Sequence, residues 1–331
     1  MEKSPNNEPA VSVIMSVYNG HEHLSRAIES ILSQTFRDFE FLIVDDGSTD
    51  DSFDIITSHS QKDPRIKILR NEVNIGLTRS LNKALTAVRG QYIARQDSDD
   101  ISLPERLKRQ FDFLTAHPEV CLVGCSAIII DSSGREIRPR PYYLTPSGIR
   151  NFMRRHNLLT HGSVMFRREE ILSLGGYREQ FRYAQDYDLW LRIMERYYIH
   201  ILPEYLYKTR ISLENISMSH AILQDEYASI ARRSHRERIC RGMDRYDAFF
   251  KTFKPDNIPT SGPKAKARYH FLKAMYLLGE DMITDMRKEL LASLKYYPFS
   301  IRSYFYIMIS LVGLGGINVL RRVRDFIYTY F

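Results

Sequence analysis

Short β-prone apolar runs alternate with stretches of helical periodicity in the N-terminal part of this chain, and no other feature restricts its fold as much. Leu24, Ala27, Ile28 and Ile31 recur at the spacing of a helix face, and a later helix is predicted to end at a capping Gly90. Such alternation is typical of a mostly parallel sheet with right-handed crossovers. The sequence therefore predicts an α/β protein with helices flanking a central sheet. The predicted strands are residues 11–17, 39–44, 66–69 and 91–94.

Aspartates follow two of these predicted strands. Segment 95–100, Arg-Gln-Asp-Ser-Asp-Asp, directly follows one strand, and Asp46 lies just past another. In an open α/β sheet, ligands bind at the carboxyl ends of the strands. Carboxylates gathered there repel one another unless a cation lies among them, and Mg²⁺ or Mn²⁺ commonly binds through one or two carboxylates plus a substrate's phosphates. The spacing of Asp97 and Asp99 lets one carboxylate bind the metal and the other a ribose hydroxyl or the ion's water shell.

Residues that follow the first three predicted strands are candidates for binding a nucleotide. Tyr18 follows the first strand, where it either stacks on a base or caps the sheet edge. Asp46 is suited to accept a hydrogen bond from the imide N–H of uracil or thymine, because a carboxylate only accepts. Asn74 and Arg79 lie near the next helix start, and Arg79 is either a diphosphate contact or an exposed helix cation.

A second polar segment, 185–192, follows a stretch rich in glycine and aromatic residues. Asp186 at this predicted helix start is either a cap or a general base delivered to the site by an irregular loop. His161 precedes a short predicted strand, where it either lines an acceptor pocket or serves as a structural histidine.

Bulk properties narrow the setting. The chain has 331 residues and a formal charge of +7, so nucleic acid, a phosphorylated substrate and an acidic membrane surface all stay open as anionic partners. Three cysteines without framework spacing indicate a reducing compartment, and Cys121 and Cys125 are predicted to be small core residues. Residues 1–9 are polar, lack the apolar middle of a signal peptide, and are predicted to be disordered.

Five segments in order resemble the inverting family 2 glycosyltransferases. The resemblance covers roughly residues 10 to 220, and its specificity comes from the order and spacing of the parts. It implies the GT-A, Rossmann-like fold, a nucleoside-diphosphate sugar donor (UDP favoured), Mn²⁺ or Mg²⁺, and hexosyl or N-acetylhexosaminyl transfer to a hydroxyl. The segments are 11–19 (VSVIMSVYN), 44–50 (VDDGSTD), 74–77 (NIGL), 97–100 (DSDD) and 185–190 (QDYDLW).

The resemblance also implies roles at the matched positions. Ser16, Tyr18 and Asp46 are expected to hold the nucleoside. Asp97 and Asp99 match the Asp-x-Asp motif, with Asp99 the direct metal ligand.

Asp186 matches the catalytic base in the same way, although Gln185 stands where relatives have a second acid. Another departure is Arg210, in a position where many relatives have a histidine. Arginine cannot ligate a metal, so Arg210 is predicted to contact the diphosphate.

The C-terminal part has a different character. We expect residues 10–220 to form the catalytic domain and residues 221–331 a helical extension. Residues 304–320 are apolar but too short to span a bilayer. An interfacial segment on the cytoplasmic leaflet of the inner membrane, near a lipid-linked glycan acceptor, is favoured over a helical cap or a homodimer contact.

Two other classes compete with a transferase. A nucleotide-dependent oxidoreductase shares the alternating architecture but requires a Gly-x-Gly-x-x-Gly turn after the first strand, and residues 18–21 do not match it. A noncatalytic nucleic-acid binder is suggested by the basic region 232–241, but it leaves the aspartates unexplained. We therefore expect no nucleic-acid partner.

Overall fold

The computed structural model describes residues 8–140, 142, 145–210, 218–253, 262–279 and 282–311. The chain divides into two compact units, residues 1–212 and 213–331, whereas the sequence places its boundary at residue 220. The roles assigned to the two parts stay predictions. The disorder expected for residues 1–9 falls almost entirely outside the described residues, as does the part of segment 304–320 beyond residue 311.

The first unit is built on one curled sheet with helices on its faces. Within the described residues the sheet has nine strands in the order β3-β2-β1-β4-β8-β6-β9-β5, with β7 paired to β6. The strands are β1 (Val11–Val17), β2 (Phe39–Asp45), β3 (Ile66–Arg70), β4 (Tyr92–Arg95), β5 (Ile101–Ser102), β6 (Val120–Ile130), β7 (Glu136–Arg140), β8 (Met165–Arg167) and β9 (Tyr198–Arg210).

The four N-terminal strands run parallel and establish the predicted α/β architecture. β1 lies between β2 and β4, with Val11 opposite Phe39 on one side and Tyr92 on the other. β1, β2 and β4 are buried along almost their whole length, because both faces of a parallel sheet are covered by helices. The chain leaves β1 toward β2 and later returns on the other side as β4, so a topological switch point lies between β1 and β4. Asp97 follows β4 at this point.

The remainder of the sheet mixes directions. β8 pairs antiparallel with β4 and β6, and the long strands β6 and β9 pair in parallel with register shifts near Cys125. β9 is one 13-residue strand, where the sequence left strand or extended loop open. Cys121 and Cys125 are buried free thiols in β6, as predicted, and burial raises the pKa of each to about 12.

Helices of the first unit cover the sheet with apolar faces. The core combines the inward residues of β1, β2 and β4 with Leu24, Ala27, Ile28 and Ile31 of the first helix. The helices are α1 (His21–Leu32), α2 (Ser52–Lys62), α3 (Leu77–Ala87), α4 (Arg106–Ala116), α5 (Pro146–Met153), α6 (Arg168–Ser173) and α7 (Gln185–Arg196).

One glycine assignment from the sequence is wrong. α3 ends at Ala87, and Gly90 does not adopt the left-handed conformation of a C-cap. A Cβ on Gly90 would lie 2.5 Å from the backbone nitrogen of Ser12. Glycine is therefore required there because β1 passes close to it.

The second unit is helical. A small core of Ala274, Leu278, Met286, Leu290 and Tyr306 joins its last three helices. The helices are α8 (Met218–Arg241), α9 (Tyr246–Thr252), α10 (Gly262–Gly279), α11 (Ile283–Tyr296) and α12 (Ile301–Ser310). Among the helices that the structure describes, none combines the length and apolar character that a bilayer crossing requires.

One face of α12 is apolar and open to solvent. Ile301 is 83% exposed and Met308 69% exposed, and the preceding Phe299 is 81% exposed. Ser303, Tyr306 and Ser310 on the opposite face are buried. We call the exposed face the α12 apolar face; its members are Phe299, Ile301, Tyr304, Phe305, Met308 and Leu311.

Candidate active site

The loops after β1 and β2 are bound to each other by hydrogen bonds. The backbone amide of Asn19 donates to the Ser48 hydroxyl over 3.1 Å, and the Asn19 side-chain oxygen accepts from the Thr49 amide over 2.8 Å. Asn19 has a φ of 50°, the left-handed region that asparagine tolerates better than most residues. This turn leaves the Tyr18 side chain 49% exposed at the carboxyl end of β1. Ser16 on β1, two residues before Tyr18, is partly buried.

Asp46 is buried and already engaged by protein donors. One carboxylate oxygen accepts from the Asn71 side chain over 2.8 Å and from the Ile75 amide over 2.9 Å. The other oxygen accepts from the Gly76 amide over 2.9 Å. Asp46 therefore organises loop 71–76 and retains about one lone pair of its carboxylate for a further donor. The predicted hydrogen bond from a nucleobase to Asp46 has to use that remaining lone pair.

Loop 71–76 leads into α3, and this stretch carries two other residues that are predicted to bind the nucleotide sugar. Asn74 is exposed on this loop, and Arg79 is exposed on the first turns of α3. The Nε of Arg79 lies 3.2 Å from a carboxylate oxygen of Glu179. Arg79 is thus a solvent-facing cation whose partner is an exposed carboxylate, and such pairs exchange easily for a stronger anion.

The acidic segment after β4 holds three aspartates in different environments. Oδ1 of Asp97 accepts from Nη2 of Arg95 over 2.7 Å. Part of the Asp99 side chain is exposed to solvent. The burial of the rest and the charge of Asp97 raise the pKa of Asp99 to about 6. Asp100 is buried and accepts from the Arg210 amide over 2.7 Å, and burial together with Asp97 and Asp99 raises its pKa well above the ordinary value.

Tyr207 and Gly162 fix the position of Asp97. The Tyr207 hydroxyl, buried on β9, accepts from the Asp97 amide over 3.3 Å. A Cβ on Gly162 would lie 2.0 Å from that hydroxyl and 2.6 Å from Oδ2 of Asp97. Only glycine allows the 3-10 turn His161–Ser163 to pass this close to the acidic segment.

Arg210 lies beside Asp99 at the end of β9. Its Nε donates to the Asp99 carbonyl over 3.0 Å, and its Nη1 donates to the carbonyls of Asp131 (2.6 Å) and Ser132 (2.8 Å). Its Nη2 is buried and has no hydrogen-bond partner among the residues that the structure describes. The guanidinium is therefore held by backbone oxygens and keeps one donor nitrogen free for an anion next to Asp99.

Asp186 lies in the first turn of α7, after Ala184 in the left-handed conformation with φ of 53°. Its Oδ2 accepts from the side-chain amide of Asn157 over 2.5 Å. The N-cap position of α7 is occupied by Ala184, and Asp186 is the second residue of the helix. Gln185 beside it is buried. Asp186 is thus oriented by a residue from a separate segment.

Segment 174–184, which precedes Asp186, is held against α3. Asn82 donates to the Tyr177 carbonyl over 2.8 Å and accepts from the Tyr177 amide over 3.0 Å. The Thr78 hydroxyl donates to the Phe181 carbonyl over 2.7 Å. α3 therefore connects the loop organised by Asp46 to the segment that delivers Asp186.

His161 and Tyr177 join the two acidic ends of the site. Nε2 of His161 lies 2.9 Å from the Tyr177 hydroxyl. Burial and the Arg95 charge lower the pKa of His161, and both Asp186 and Asp97 act on it in the opposite direction. Burial raises the pKa of Tyr177, again with Asp186 and Asp97 among its neighbours. Asp97 and Asp186 therefore both lie close enough to this pair of side chains for their charges to act on it.

The donor set fits a divalent cation shared with a substrate. Within the described residues, no three His, Cys, Asp or Glu side chains assemble into a metal cluster. Asp97 and Asp99 are hard oxygen ligands side by side. Burial and the charge of Asp97 raise the pKa of Asp99 to about 6. Mg²⁺ and Mn²⁺ suit sites with one or two carboxylates where phosphates and water complete the shell.

Several residues of this site escaped prediction from the sequence. They are Arg95, Asn157, Gly162, Tyr177 and Tyr207. A charged residue directly after the run Tyr92–Ala94 was a usable signal for Arg95. Asn157 and Gly162 act through contacts that local sequence patterns do not encode.

Comparison of the sequence with known proteins gives a consistent result. The family model described as Glycosyl transferase family 2 matches residues 12–173. Putative glycosyltransferase EpsE of Bacillus subtilis is 39% identical over 210 residues, covering 62% of this chain and 74% of that protein. Amylovoran biosynthesis glycosyltransferase AmsE of Erwinia amylovora is 34% identical over 209 residues, covering 62% of this chain and 78% of that protein.

Solved structures support the fold. A mannosyltransferase from Pyrobaculum calidifontis, in complex with GDP-Man and Mn²⁺, superposes with a TM-score of 0.57 at 18% identity, covering 99% of this chain and 86% of that one. TarS 1-349 of S. aureus, in complex with UDP-GlcNAc, gives 0.53 at 18% identity, covering 89% and 91%. The mostly parallel sheet with flanking and C-terminal helices is thus that of the GT-A glycosyltransferases. This chain is a member of glycosyl transferase family 2.

Proposed function

We propose that this protein is a metal-dependent, inverting glycosyltransferase that moves a sugar from a UDP-sugar to a hydroxyl of a glycan acceptor in cell-surface polysaccharide biosynthesis. Family membership favours a transferase over a nucleic-acid binder or an oxidoreductase. The relative AmsE, named for amylovoran biosynthesis, supports the polysaccharide assignment. The complex of TarS with UDP-GlcNAc supports UDP as the carrier.

One observation carries this proposal. His161 and Tyr177, which lie 2.9 Å apart, are both affected by the charges of Asp97 and Asp186. This shared influence supports placing Asp97 and the expected base in one site near the carboxyl end of β4. A sugar that bridges a diphosphate and an acceptor hydroxyl requires that arrangement.

On the donor side, the residues divide into a nucleoside group and a diphosphate group. Tyr18 offers an exposed ring for a nucleobase, and Ser16 on β1 and Asn74 on loop 71–76 complete the nucleoside group. The remaining lone pair of Asp46 accepts the imide N–H. Nη2 of Arg210 and the exchangeable guanidinium of Arg79 contact the diphosphate, since guanidinium groups suit phosphate oxygens.

Asp99 is the metal ligand in this proposal, with Asp97 as its neighbour. When bound there, Mn²⁺ or Mg²⁺ neutralises charge on the diphosphate leaving group. Asp97, paired with Arg95 and placed by Tyr207, directs its other oxygen toward the donor sugar or the ion's water shell. Arg210 contributes a permanent positive charge on the same side.

Asp186 acts as the general base. It takes the proton of the acceptor hydroxyl while that oxygen forms a bond to the anomeric carbon. The bond from the anomeric carbon to the diphosphate oxygen breaks, and its electron pair leaves with the nucleoside diphosphate. Because the oxygen attacks from the face opposite the leaving group, one displacement inverts the configuration. His161 lines the acceptor side, where it lies against Tyr177 and Trp190.

The experiment that tests this function follows product formation from a panel of nucleotide sugars. A thermal-shift screen with and without Mn²⁺ first selects the donor, and NMR of the product then reports the anomeric configuration. We expect one UDP-sugar to stabilise the protein only when Mn²⁺ is present, and the product to have the inverted configuration. A retained configuration, or stabilisation that ignores the metal, contradicts the proposal.

We further propose that the α12 apolar face attaches the protein to the cytoplasmic leaflet of the cell membrane, close to a lipid-linked acceptor. Phe299, Ile301 and Met308 form a strongly exposed apolar stripe, with the exposed Arg302 beside it. Aromatic and aliphatic residues next to a basic residue are typical of an interfacial helix.

Vesicle sedimentation tests the attachment. Phe299→Glu combined with Ile301→Glu is expected to release the protein from anionic phosphatidylglycerol vesicles. Ile239→Glu is the matched control, because Ile239 is also exposed and apolar but lies on α8. Equal binding of the two variants contradicts the membrane role, and a change from dimer to monomer in the first variant assigns the face to a second copy instead.

A further inference from the structure

Two arginines close to the acidic segment in the chain are almost fully buried, one at the end of β4 and one at the start of α4. Arg95 is 1% exposed and Arg106 is 0% exposed. Charged side chains are almost never buried so fully unless they are paired, because losing hydration costs several kcal/mol. Arg95 pairs with Asp97, and Arg106 binds the Arg95 carbonyl, so permanent positive charge lies where the sequence gathers negative charge.

The two arginines differ in what they contact. Nη2 of Arg95 donates to Oδ1 of Asp97 over 2.7 Å, while Nη1 is 3.5 Å from the Ile14 carbonyl. Arg106 instead donates to the carbonyls of Arg95 (2.8 Å) and Gly162 (2.7 Å). Only Arg95 of this pair forms an ion pair with the acidic segment. Within the described part of the chain, the Nε atoms of both arginines and Nη2 of Arg106 are buried without hydrogen-bond partners.

The Arg95–Asp97 pair limits what Asp97 can offer to a cation. Oδ1 is occupied by the guanidinium, and the approach to Oδ2 is bordered by Gly162, whose hypothetical Cβ lies 2.6 Å away. Asp99 makes no side-chain ion pair among the described residues. An incoming divalent cation therefore meets one open carboxylate and one that is already neutralised.

We propose that Arg95 is a positioning residue that acts as an internal counter-ion for Asp97, keeping the acidic segment assembled without metal and weakening metal binding until a nucleotide diphosphate supplies further oxygen ligands. This inference rests on the proposed function, since it assumes a metal at Asp99. It predicts that metal and nucleotide bind interdependently: the metal alone binds weakly, and the diphosphate compensates for the oxygen that Arg95 withholds.

The test measures Mn²⁺ binding without activity. Wild type and Arg95→Met are compared by thermal unfolding and by titration of Mn²⁺ followed by electron paramagnetic resonance, first without nucleotide and then with UDP. Metal-free Arg95→Met is expected to melt at a lower temperature, because Asp97 loses its counter-ion beside two further aspartates. Its Mn²⁺ affinity without UDP is expected to rise about tenfold, and its Mn²⁺-induced shift in melting temperature to exceed that of wild type.

Two further variants separate positioning from general stability. Arg106→Met removes an equally buried guanidinium that contacts carbonyl oxygens, so it is expected to lower the melting temperature without strengthening Mn²⁺ binding. Arg95→Lys keeps the charge with a looser contact, and its Mn²⁺ affinity is expected to lie between those of wild type and Arg95→Met. It carries the comparison alone if Arg95→Met does not fold.

The outcomes are distinct. Unchanged or weaker Mn²⁺ binding by the Arg95 variants, with normal binding by wild type in the presence of UDP, overturns this inference and leaves the proposed function intact. Absence of Mn²⁺ binding by wild type, with UDP as well as without it, overturns the metal role and this inference together.

Discussion

The side-chain amide of Asn157 donates a hydrogen bond to Oδ2 of Asp186 over 2.5 Å. Asp186 follows a segment with an unusual turn at Ala184, whereas Asn157 belongs to the loop after α5. Family relatives were expected to carry a second acid beside the base, and here Gln185 is buried instead. The proposed base is therefore oriented by a residue that is close in space, not by its neighbour in the sequence.

Replacing Asn157 is expected to impair transfer and leave donor binding intact. In Asn157→Ala, the base loses the donor that orients it, and a misplacement of about 1 Å can cost about 100-fold in rate. In Asn157→Asp, two carboxylates meet at the position of the present hydrogen bond, so the loss is expected to be larger. Steady-state kinetics with varied acceptor measure the effect. Equal kcat for the two variants and wild type contradicts an orienting role.

Replacing Asp186 with Asn is expected to abolish transfer. The amide keeps the shape of the side chain but cannot accept the acceptor's proton, and general base catalysis contributes about 10²- to 10⁴-fold. UDP affinity, measured by calorimetry, is expected to change little. Asp54→Asn, an exposed change on α2, is the control for the loss of one negative charge. Normal turnover by Asp186→Asn removes the assigned base.

The stability of the metal-free protein is expected to fall as pH rises through about 6. Asp99 has a pKa of about 6 in the folded protein against an ordinary value of 3.8, mainly because of burial and the charge of Asp97. Between these values the folded state binds more protons than the unfolded state, so raising the pH favours unfolding. Thermal unfolding from pH 4.5 to 7 measures this slope.

Asp99→Asn provides the comparison for that pH dependence. This variant is expected to show a shallower decline over the same range, because the group that takes up the proton is gone. Mn²⁺ is expected to bind wild type more tightly above pH 6, since metal ligands must be deprotonated. A slope that is identical in both proteins assigns the titration to another group.

Gly162→Ala is expected to destabilise the protein and disturb Asp97. The added methyl group would lie 2.0 Å from the Tyr207 hydroxyl, and overpacking of this kind costs about 1–3 kcal/mol. Adding Tyr207→Phe removes the hydroxyl and is expected to recover part of the stability, measured by chemical denaturation. Activity is expected to stay low, because the contact with Asp97 at 2.6 Å persists. Additive losses in the double variant contradict this coupling.

The N-terminal half of the sheet could be predicted because its signals are local. β1 was placed at both ends, since a continuous apolar run between polar turns has no competing interpretation. β2 extends one residue further than predicted, through Asp45, which pairs with Arg70 of β3. α5 and α6, with 8 and 6 residues, are too short for periodicity to reveal.

The candidate site was predicted in its acids and missed in their partners. Asp97, Asp99 and Asp186 stand in recognisable motifs, whereas Tyr207 contacts Asp97 across 110 residues of sequence. Asn157 reaches Asp186 across 29 residues. Such contacts depend on how β9 and the loop after α5 are placed by the sheet, and no local pattern encodes that placement.

The double hydrogen bond between Asn82 and Tyr177 has a consequence for anyone who recombines this enzyme with its relatives. α3 begins at the loop that Asp46 holds, and it is hydrogen-bonded to the segment that precedes Asp186. We therefore expect donor and acceptor preferences to be coupled in this chain. A chimaera whose crossover falls between residues 87 and 174 will pair mismatched halves of that contact, so functional hybrids must exchange both stretches together.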